Sequence, residues 1–170
     1  MRRNLSIIVA VALLAGLLAT AHAEGLSVGS KAPNFTLKTI GGKSYSLSSY
    51  KWKSVVLLDF GRFTCMPCRD MLKDLQQLHA KYKGQRVQVF SVNMDGGMAK
   101  RVVPKGIKDL GVTFPVLQDS VSKAATAYKA ETIPYLILVD KQGIVRFSHV
   151  GYDPSLRGKL DALITKYRGK

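Results

Sequence analysis

Two nearly continuous apolar runs dominate the hydrophobic pattern of the chain. Val55 to Phe60 contains a single charge, Asp59, and Val87 to Val92 forms the second run. Runs of this kind are typical of strands that are buried on both faces of a mostly parallel sheet. We therefore predict two neighbouring core strands.

The segment between these runs has the periodicity of an amphipathic helix. Pro67 lies near its first turn, where a missing N–H is tolerated, and Gly84 follows its last apolar position. Its apolar stripe consists of Cys68, Met71, Leu72, Leu75, Leu78 and Tyr82. The pattern predicts a β–α–β unit.

The rest of the chain alternates between short strands and helices. Gly41-Gly42 and the segment 140–143 have the composition of hairpin turns. Predicted extended segments are Phe35–Thr39, Ser44–Leu47, Thr113–Leu117, Tyr135–Val139 and Ile144–His149, and predicted helices are Met98–Leu110, Ser122–Tyr128 and Pro154–Tyr167. This order implies an α/β sheet with helices on both faces, and we expect Trp52 to pack against the edge of the sheet.

The N-terminus has the pattern of a secretory leader. A basic pair, Arg2 and Arg3, precedes an apolar run from Leu5 to Leu18, and a small-x-small site follows at residues 21–23. We predict that residues 1–23 are removed as a signal peptide and that a single domain, residues 24–170, is exported to the periplasm. An uncleaved anchor is the alternative, although the run is shorter than the ~20 residues of a membrane span.

The charge balance is strongly basic, with 26 Lys and Arg against 11 Asp and Glu and a net charge of +15. An exported protein of this kind could bind anionic lipid headgroups or acidic partners, or its surface could simply be solvated. Nucleic acid is not an expected partner, because the leader directs the chain away from it and no aromatic platform accompanies the scattered positive charges.

The two cysteines, Cys65 and Cys68, restrict the chemistry further. A disulfide-stapled scaffold would carry more cysteines at wider spacing, and a structural zinc site would need four ligands. We therefore expect no metal and no cofactor, and instead a pair that cycles between dithiol and disulfide. A purely structural disulfide is the alternative.

The position of the pair assigns a role to each cysteine. The core strand before it and the helix after it place Cys65 where helical N–H groups and the helix dipole favour a thiolate, which is the nucleophile of disulfide exchange. Cys68 lies one turn further into the helix and should be more buried. It would resolve the mixed disulfide that Cys65 forms with a substrate.

The chain resembles the thioredoxin-like family of TlpA and ResA type from about Val28 to Lys166. The likeness rests on the cysteine pair together with segments 31–37, 114–117 and 132–134. It implies a thioredoxin-like fold, with a central mixed sheet flanked by helices, an N-terminal β-hairpin and an inserted helix. It also implies a periplasmic thiol–disulfide oxidoreductase that acts as a disulfide reductase.

Two further site residues follow from this resemblance. Pro134 matches the cis-proline that faces the cysteines and offers backbone to an extended substrate, although an ordinary turn proline is the alternative. Asp59 resembles the buried acid of thioredoxin, and burial should raise its pKa so that it can take a proton from Cys68. A solvated or lysine-paired aspartate is the alternative.

The resemblance also implies partners. These are client proteins with cysteines or disulfides, such as apocytochrome c, and a membrane thiol-electron transporter as reductant; we expect a monomer. The chain departs from the family at Thr64, where a tryptophan is usual, and at Met71, where ResA-type reductases have a glutamate. Met66-Pro67 between the cysteines resembles the reducing members.

Two rival functions belong to proteins of the same fold. A thiol peroxidase shares the fold, but Leu58 and Arg62 stand where its motif has proline and threonine. A copper chaperone of the same fold uses a longer gap between its cysteines and a distant histidine, for which His149 is the candidate here.

Overall fold

The computed structural model of the chain describes residues 25–169. The predicted leader, residues 1–23, and the predicted mature N-terminus at Glu24 lie outside these residues. Among the helices of the described part, none is both long enough and apolar enough to cross a membrane.

Seven strands and four α-helices form the described domain. The strands are β1 (Thr36–Thr39), β2 (Ser44–Ser46), β3 (Val55–Gly61), β4 (Val87–Asn93), β5 (Val116–Gln118), β6 (Tyr135–Val139) and β7 (Val145–Val150). The helices are α1 (Met66–Tyr82), α2 (Ala99–Leu110), α3 (Lys123–Ala127) and α4 (Leu156–Arg168). Short 3₁₀ turns, Leu47–Tyr50 and Gly96–Met98, follow β2 and precede α2.

The strands form one mixed sheet in the order β2-β1-β5-β4-β3-β6-β7. β3, β4 and β5 are parallel, whereas β6 pairs with β3 and β1 pairs with β5 in the antiparallel sense. The carboxyl ends of β3 and β4 and the start of β6 therefore lie at the same edge, here called the site edge. The opposite edge, where β3 and β4 begin, is called the basal edge.

Each face of the sheet carries its own hydrophobic core. The side chains of Val55 and Leu57 pack with α1, α2 and α4, whereas those of Val56, Leu58 and Phe60 pack with α3 and the N-terminal hairpin. Because side chains alternate along a strand, Asp59 belongs to the face that α1 covers. The predicted arrangement of a central mixed sheet with helices on both faces is confirmed.

The element bounds differ most from prediction at β5. The predicted extended segment 113–117 contributes only Val116–Gln118 to the sheet. Its first residue, Thr113, is held instead by α1, since its backbone N–H donates to Oε1 of Gln76 at 2.9 Å. Pro115 has no N–H for a strand ladder, so pairing begins after it.

The expectation for Trp52 was wrong. The indole does not pack against the sheet edge but is 67% exposed. Its backbone N–H donates to the carbonyl of Lys141 at 2.7 Å, and the residue has a φ of 64°. This left-handed backbone turns the side chain away from the sheet and into solvent.

Candidate active site

The two cysteines lie where β3 gives way to α1, at the site edge. Cys65 is the N-cap of α1, with an extended backbone, and its Sγ accepts a hydrogen bond from the backbone N–H of Cys68 at 3.3 Å. The two residues form a disulfide with a Cα–Cα distance of 5.3 Å. Cys65 is partly exposed, whereas Cys68 is 1% exposed. A substrate can therefore reach Cys65 but not Cys68.

Cys68 and Asp59 lie against the same glycine at the end of β3. A Cβ placed on Gly61 would stand 3.3 Å from Cys68 Sγ and 3.6 Å from Asp59 Oδ2. Gly61 thus leaves room for the buried cysteine and the buried carboxyl to approach the same point. The structure brings together two residues that the sequence places nine positions apart.

The side chain of Asp59 makes a single hydrogen bond with the described residues. The residue is fully buried, and Ser91 Oγ donates a hydrogen bond to its Oδ2 at 3.3 Å. Its Oδ1 has no hydrogen-bond partner among the described residues. Burial raises the pKa of Asp59 to about 7, while the hydrogen bond from Ser91 opposes the shift. A carboxyl in this setting can exchange a proton near neutral pH.

Pro134 completes the site edge on the side of β6. The Ile133–Pro134 peptide bond is cis. Since Phe60 pairs with Tyr135 in the antiparallel ladder, Pro134 stands beside the end of β3. Proline has no backbone N–H, and the Pro134 carbonyl accepts a hydrogen bond from Gly151 N–H at 2.8 Å. The backbone of Pro134 is thus already engaged within the domain.

A further residue at the site, Asp95, follows β4 and was not predicted from the sequence. This carboxylate is 7% exposed. Oδ2 accepts hydrogen bonds from the Phe63 backbone N–H at 2.8 Å and from Asn93 Nδ2 at 2.6 Å, and Oδ1 accepts one from Thr64 Oγ1 at 2.9 Å. Asp95 therefore holds the loop that leads into Cys65. A loop acid that contacts residues about thirty positions away has no periodic signal in a sequence.

Removing this carboxylate should destabilise the domain. Asp95→Ala leaves the buried N–H of Phe63 and the amide of Asn93 without acceptors, so we expect the free energy of unfolding to fall by about 2–4 kcal/mol. Thr64→Val removes only one of the three hydrogen bonds and should cost about 1 kcal/mol or less. Urea unfolding of the disulfide form measures both. Equal losses in the two variants would show that Asp95 does not hold the loop.

The structure also shows where Met71 lies and where His149, the candidate ligand of a copper site, lies. Met71 lies on the buried face of α1 and packs in the core, so an apolar side chain stands where ResA-type reductases have a glutamate. His149 lies on β7, opposite Leu136 of β6. In residues 25–169, no group of three or more His, Cys, Asp or Glu side chains is arranged to hold a metal ion.

Comparison with known proteins decides the family. Residues 28–148 match the AhpC/TSA family. The chain belongs to that thioredoxin-like family. The thiol-disulfide oxidoreductase ResA of Geobacillus kaustophilus is 35% identical over 121 residues, which cover 71% of this chain and 68% of the relative. The ResA protein of Geobacillus thermodenitrificans is 32% identical over 145 residues, which cover 82% of each chain.

Solved structures agree with this assignment. A thiol:disulfide interchange protein described as DsbE, from Chlorobium tepidum, superposes with a TM-score of 0.77 at 33% identity, over 85% of this chain and 99% of that one. A structure from Bacteroides thetaiotaomicron, 24% identical, has a TM-score of 0.78 and supports the fold alone. The fold of this AhpC/TSA member is thioredoxin-like, and its enzyme class is thiol–disulfide oxidoreductase.

Proposed function

We propose that this oxidoreductase is an exported disulfide reductase that acts on protein cysteines through the Cys65–Cys68 pair. The observation that carries the proposal is the environment of Cys65. The sulfur caps the N-terminus of α1, and exposed Met66 and Pro67 form the first turn, which contains no acidic residue. The Met66-Pro67 dipeptide between the cysteines carries no charge and adds no cation to the backbone N–H groups and helix dipole that stabilise the Cys65 thiolate, so the dithiol remains a good electron donor.

The reduced enzyme would begin with an attack by Cys65. Its thiolate forms a bond to one sulfur of a client disulfide, while the other client sulfur leaves as a thiolate and takes up a proton. The product is a mixed disulfide between Cys65 and the client. The partial exposure of Cys65 at the site edge supports this role.

Resolution would then use Cys68 and Asp59. The Asp59 carboxylate accepts the proton of the Cys68 thiol, directly or through one water. The Cys68 thiolate attacks Cys65 Sγ, the internal disulfide forms, and the second client sulfur leaves as a thiolate. The common contact with Gly61 supports this pairing of base and thiol, as does the pKa of about 7 for Asp59.

Client binding is proposed for the edge formed by the segment before β6. Pro134 would shape this edge, because the β3–β6 pairing places it beside the end of β3. Since the Pro134 carbonyl already accepts a hydrogen bond from Gly151, we assign backbone pairing with an extended client to Ile133. Exposed Met66 adds an apolar contact next to Cys65.

The cellular setting remains part of the proposal. The leader pattern in residues 1–23 supports export to the periplasm, and the family resemblance supports client cysteines such as the haem-attachment pair of apocytochrome c. A membrane thiol-electron transporter would return Cys65 and Cys68 to the dithiol state.

The reduction potential tests the direction of electron flow. We expect a value near thioredoxin's roughly −270 mV and far from the strongly oxidising roughly −120 mV. Equilibration in glutathione buffers measures it. Pro67→His is the matched variant: an imidazole next to Cys65 adds a cation that stabilises the thiolate, so the potential should become less negative. A wild-type value near the oxidising limit would contradict the reductase proposal, while the enzyme class would stand.

A further inference from the structure

The basal edge carries a second surface of unusual composition. It is formed by Lys51, Trp52, Lys53, Lys83 and Arg86, and we call it the basal surface. All five side chains are exposed. Trp52 and Lys53 share a shallow depression with Gly84 and Arg86. Trp52 is the only tryptophan of the chain.

The four cations of the basal surface form no ion pair within residues 25–169. Two acids on neighbouring elements are already paired, Asp140 with Arg146 and Asp161 with Lys81. The Lys51 ammonium lies 5.5 Å from the centre of the Trp52 ring, so a positive charge accompanies the indole itself. The surface therefore presents a concentrated positive field.

Two residues of the basal surface have an unusual backbone conformation. Trp52 and Arg86 have φ values of 64° and 60°, in the left-handed region that bulky residues avoid. Both conformations are fixed by backbone hydrogen bonds, from Trp52 N–H to Lys141 at 2.7 Å and from Val55 N–H to the Arg86 carbonyl at 2.9 Å. Nearby Gly84 has a φ of 76°, and glycine adopts this left-handed conformation without strain. A tryptophan and an arginine at strained backbone positions point to a function for their side chains.

We propose that the basal surface docks on an anionic lipid bilayer. Tryptophan favours the boundary between headgroups and acyl chains, and each lysine or arginine near an anionic bilayer adds electrostatic attraction. A protein partner fits less well, because a tryptophan that anchors a protein interface normally lies in a well-packed pocket enclosed by contacts that exclude water. Here Trp52 is 67% exposed, and Lys51, Lys53 and Arg86 stand next to it, so the surface offers cations in place of a well-packed pocket.

This orientation is compatible with the redox chemistry. The basal surface adjoins the start of β3, whereas Cys65 follows the end of this seven-residue strand. At about 3.3 Å per residue, the strand separates the two by roughly 20 Å or more. A docked molecule would hold the disulfide away from the bilayer, so that both clients and the electron-donating part of the proposed transporter would meet it in the aqueous phase.

Trp52 reports directly on the proposed contact. The chain of residues 24–170, which contains the whole sheet and both cores, is titrated with vesicles of equal parts phosphatidylglycerol and phosphatidylcholine, and with phosphatidylcholine alone. We expect a blue shift of the tryptophan emission, and quenching by brominated acyl chains, with the anionic vesicles only. Binding should weaken steeply as salt is added.

Charge variants locate the contact. Lys51→Gln/Lys53→Gln/Arg86→Gln should weaken binding by on the order of a hundredfold. Lys38→Gln/Lys108→Gln/Lys123→Gln removes the same charge from other exposed positions and should have a much smaller effect. Disulfide reduction should be unchanged in both, which confirms that they fold.

Three results would overturn the proposal. Equal weakening in the two triple variants would mean that net charge alone drives binding. Sedimentation with vesicles without any change in Trp52 emission would place the contact elsewhere. An emission shift produced by poly-glutamate or single-stranded DNA at lower concentration than by vesicles would identify a soluble polyanion as the ligand.

Discussion

Replacing Cys68 by alanine should stop turnover halfway and leave client proteins attached to Cys65 through a mixed disulfide. Cys65 is the sulfur that a client can reach, and it accepts a hydrogen bond from the Cys68 backbone N–H, which the substitution leaves in place. The attack therefore survives, whereas the second step has no thiol to carry it out. Non-reducing electrophoresis followed by mass spectrometry of the adducts would detect the trapped clients.

The matched variant is Cys65→Ala. It should neither turn over nor trap clients, because Cys68 is 1% exposed in the native fold. In the reduced wild type, iodoacetamide at neutral pH should alkylate Cys65 at least roughly tenfold faster than Cys68, since thiolate character and access favour the same sulfur. Trapping by Cys65→Ala and not by Cys68→Ala would reverse the assignment of nucleophile and resolving thiol.

The elements that sequence predicted best are those whose pattern is set by burial alone. β6 has the predicted bounds, and β3 and α1 are close to theirs, because strands and helices covered on several sides leave unbroken or periodic apolar positions. The same apolar run predicted the burial of Asp59. The cysteine pair stood out because strand, turn and helix meet there, which is a local arrangement.

Features that depend on contacts between distant segments could not be predicted in this way. β5 is short because Gln76 of α1 holds Thr113, a side-chain contact that leaves no periodic trace. Asp95 reaches the loop before Cys65 across the gap between two strands. Trp52 is exposed because of a left-handed backbone in a turn, where hydrophobicity alone favours the opposite outcome.

Asp59→Asn should raise the stability of the disulfide form, by an amount that grows with pH. The pKa of Asp59 is raised in the fold from 3.8 to about 7, so the folded state holds this proton more tightly than the unfolded state. At low pH the buried Asp59 is protonated in both states and does not lower the free energy of unfolding. As the pH rises above about 4, the free energy of unfolding falls, and above about 7 this loss becomes constant. Between pH 5 and pH 8, the advantage of the asparagine variant should grow by roughly 2–3 kcal/mol.

The disulfide form is the right species for this measurement, because its cysteines do not titrate and Asp59 changes charge without them. Urea unfolding at several pH values gives the free energies of both proteins. An advantage that does not change from pH 5 to pH 8 would mean that Asp59 does not take up its proton in this range. Asp59 could then not act as the proposed base near neutral pH.

The same substitution should slow the second half of the reaction by at least roughly tenfold, because Cys68 loses its proton acceptor while Cys65 keeps its helix N-terminus. In the wild type, release of the client should slow as the pH falls through about 7, where the Asp59 carboxylate is protonated.

Ser91→Ala is the informative control. Ser91 stabilises the charged carboxylate through its hydrogen bond, so removing it should raise the pKa of Asp59 and move the pH profile upward without abolishing it. Stopped-flow measurement of mixed-disulfide decay distinguishes these cases. If Asp59→Asn and the wild type share one pH profile, Asp59 takes no part in resolution.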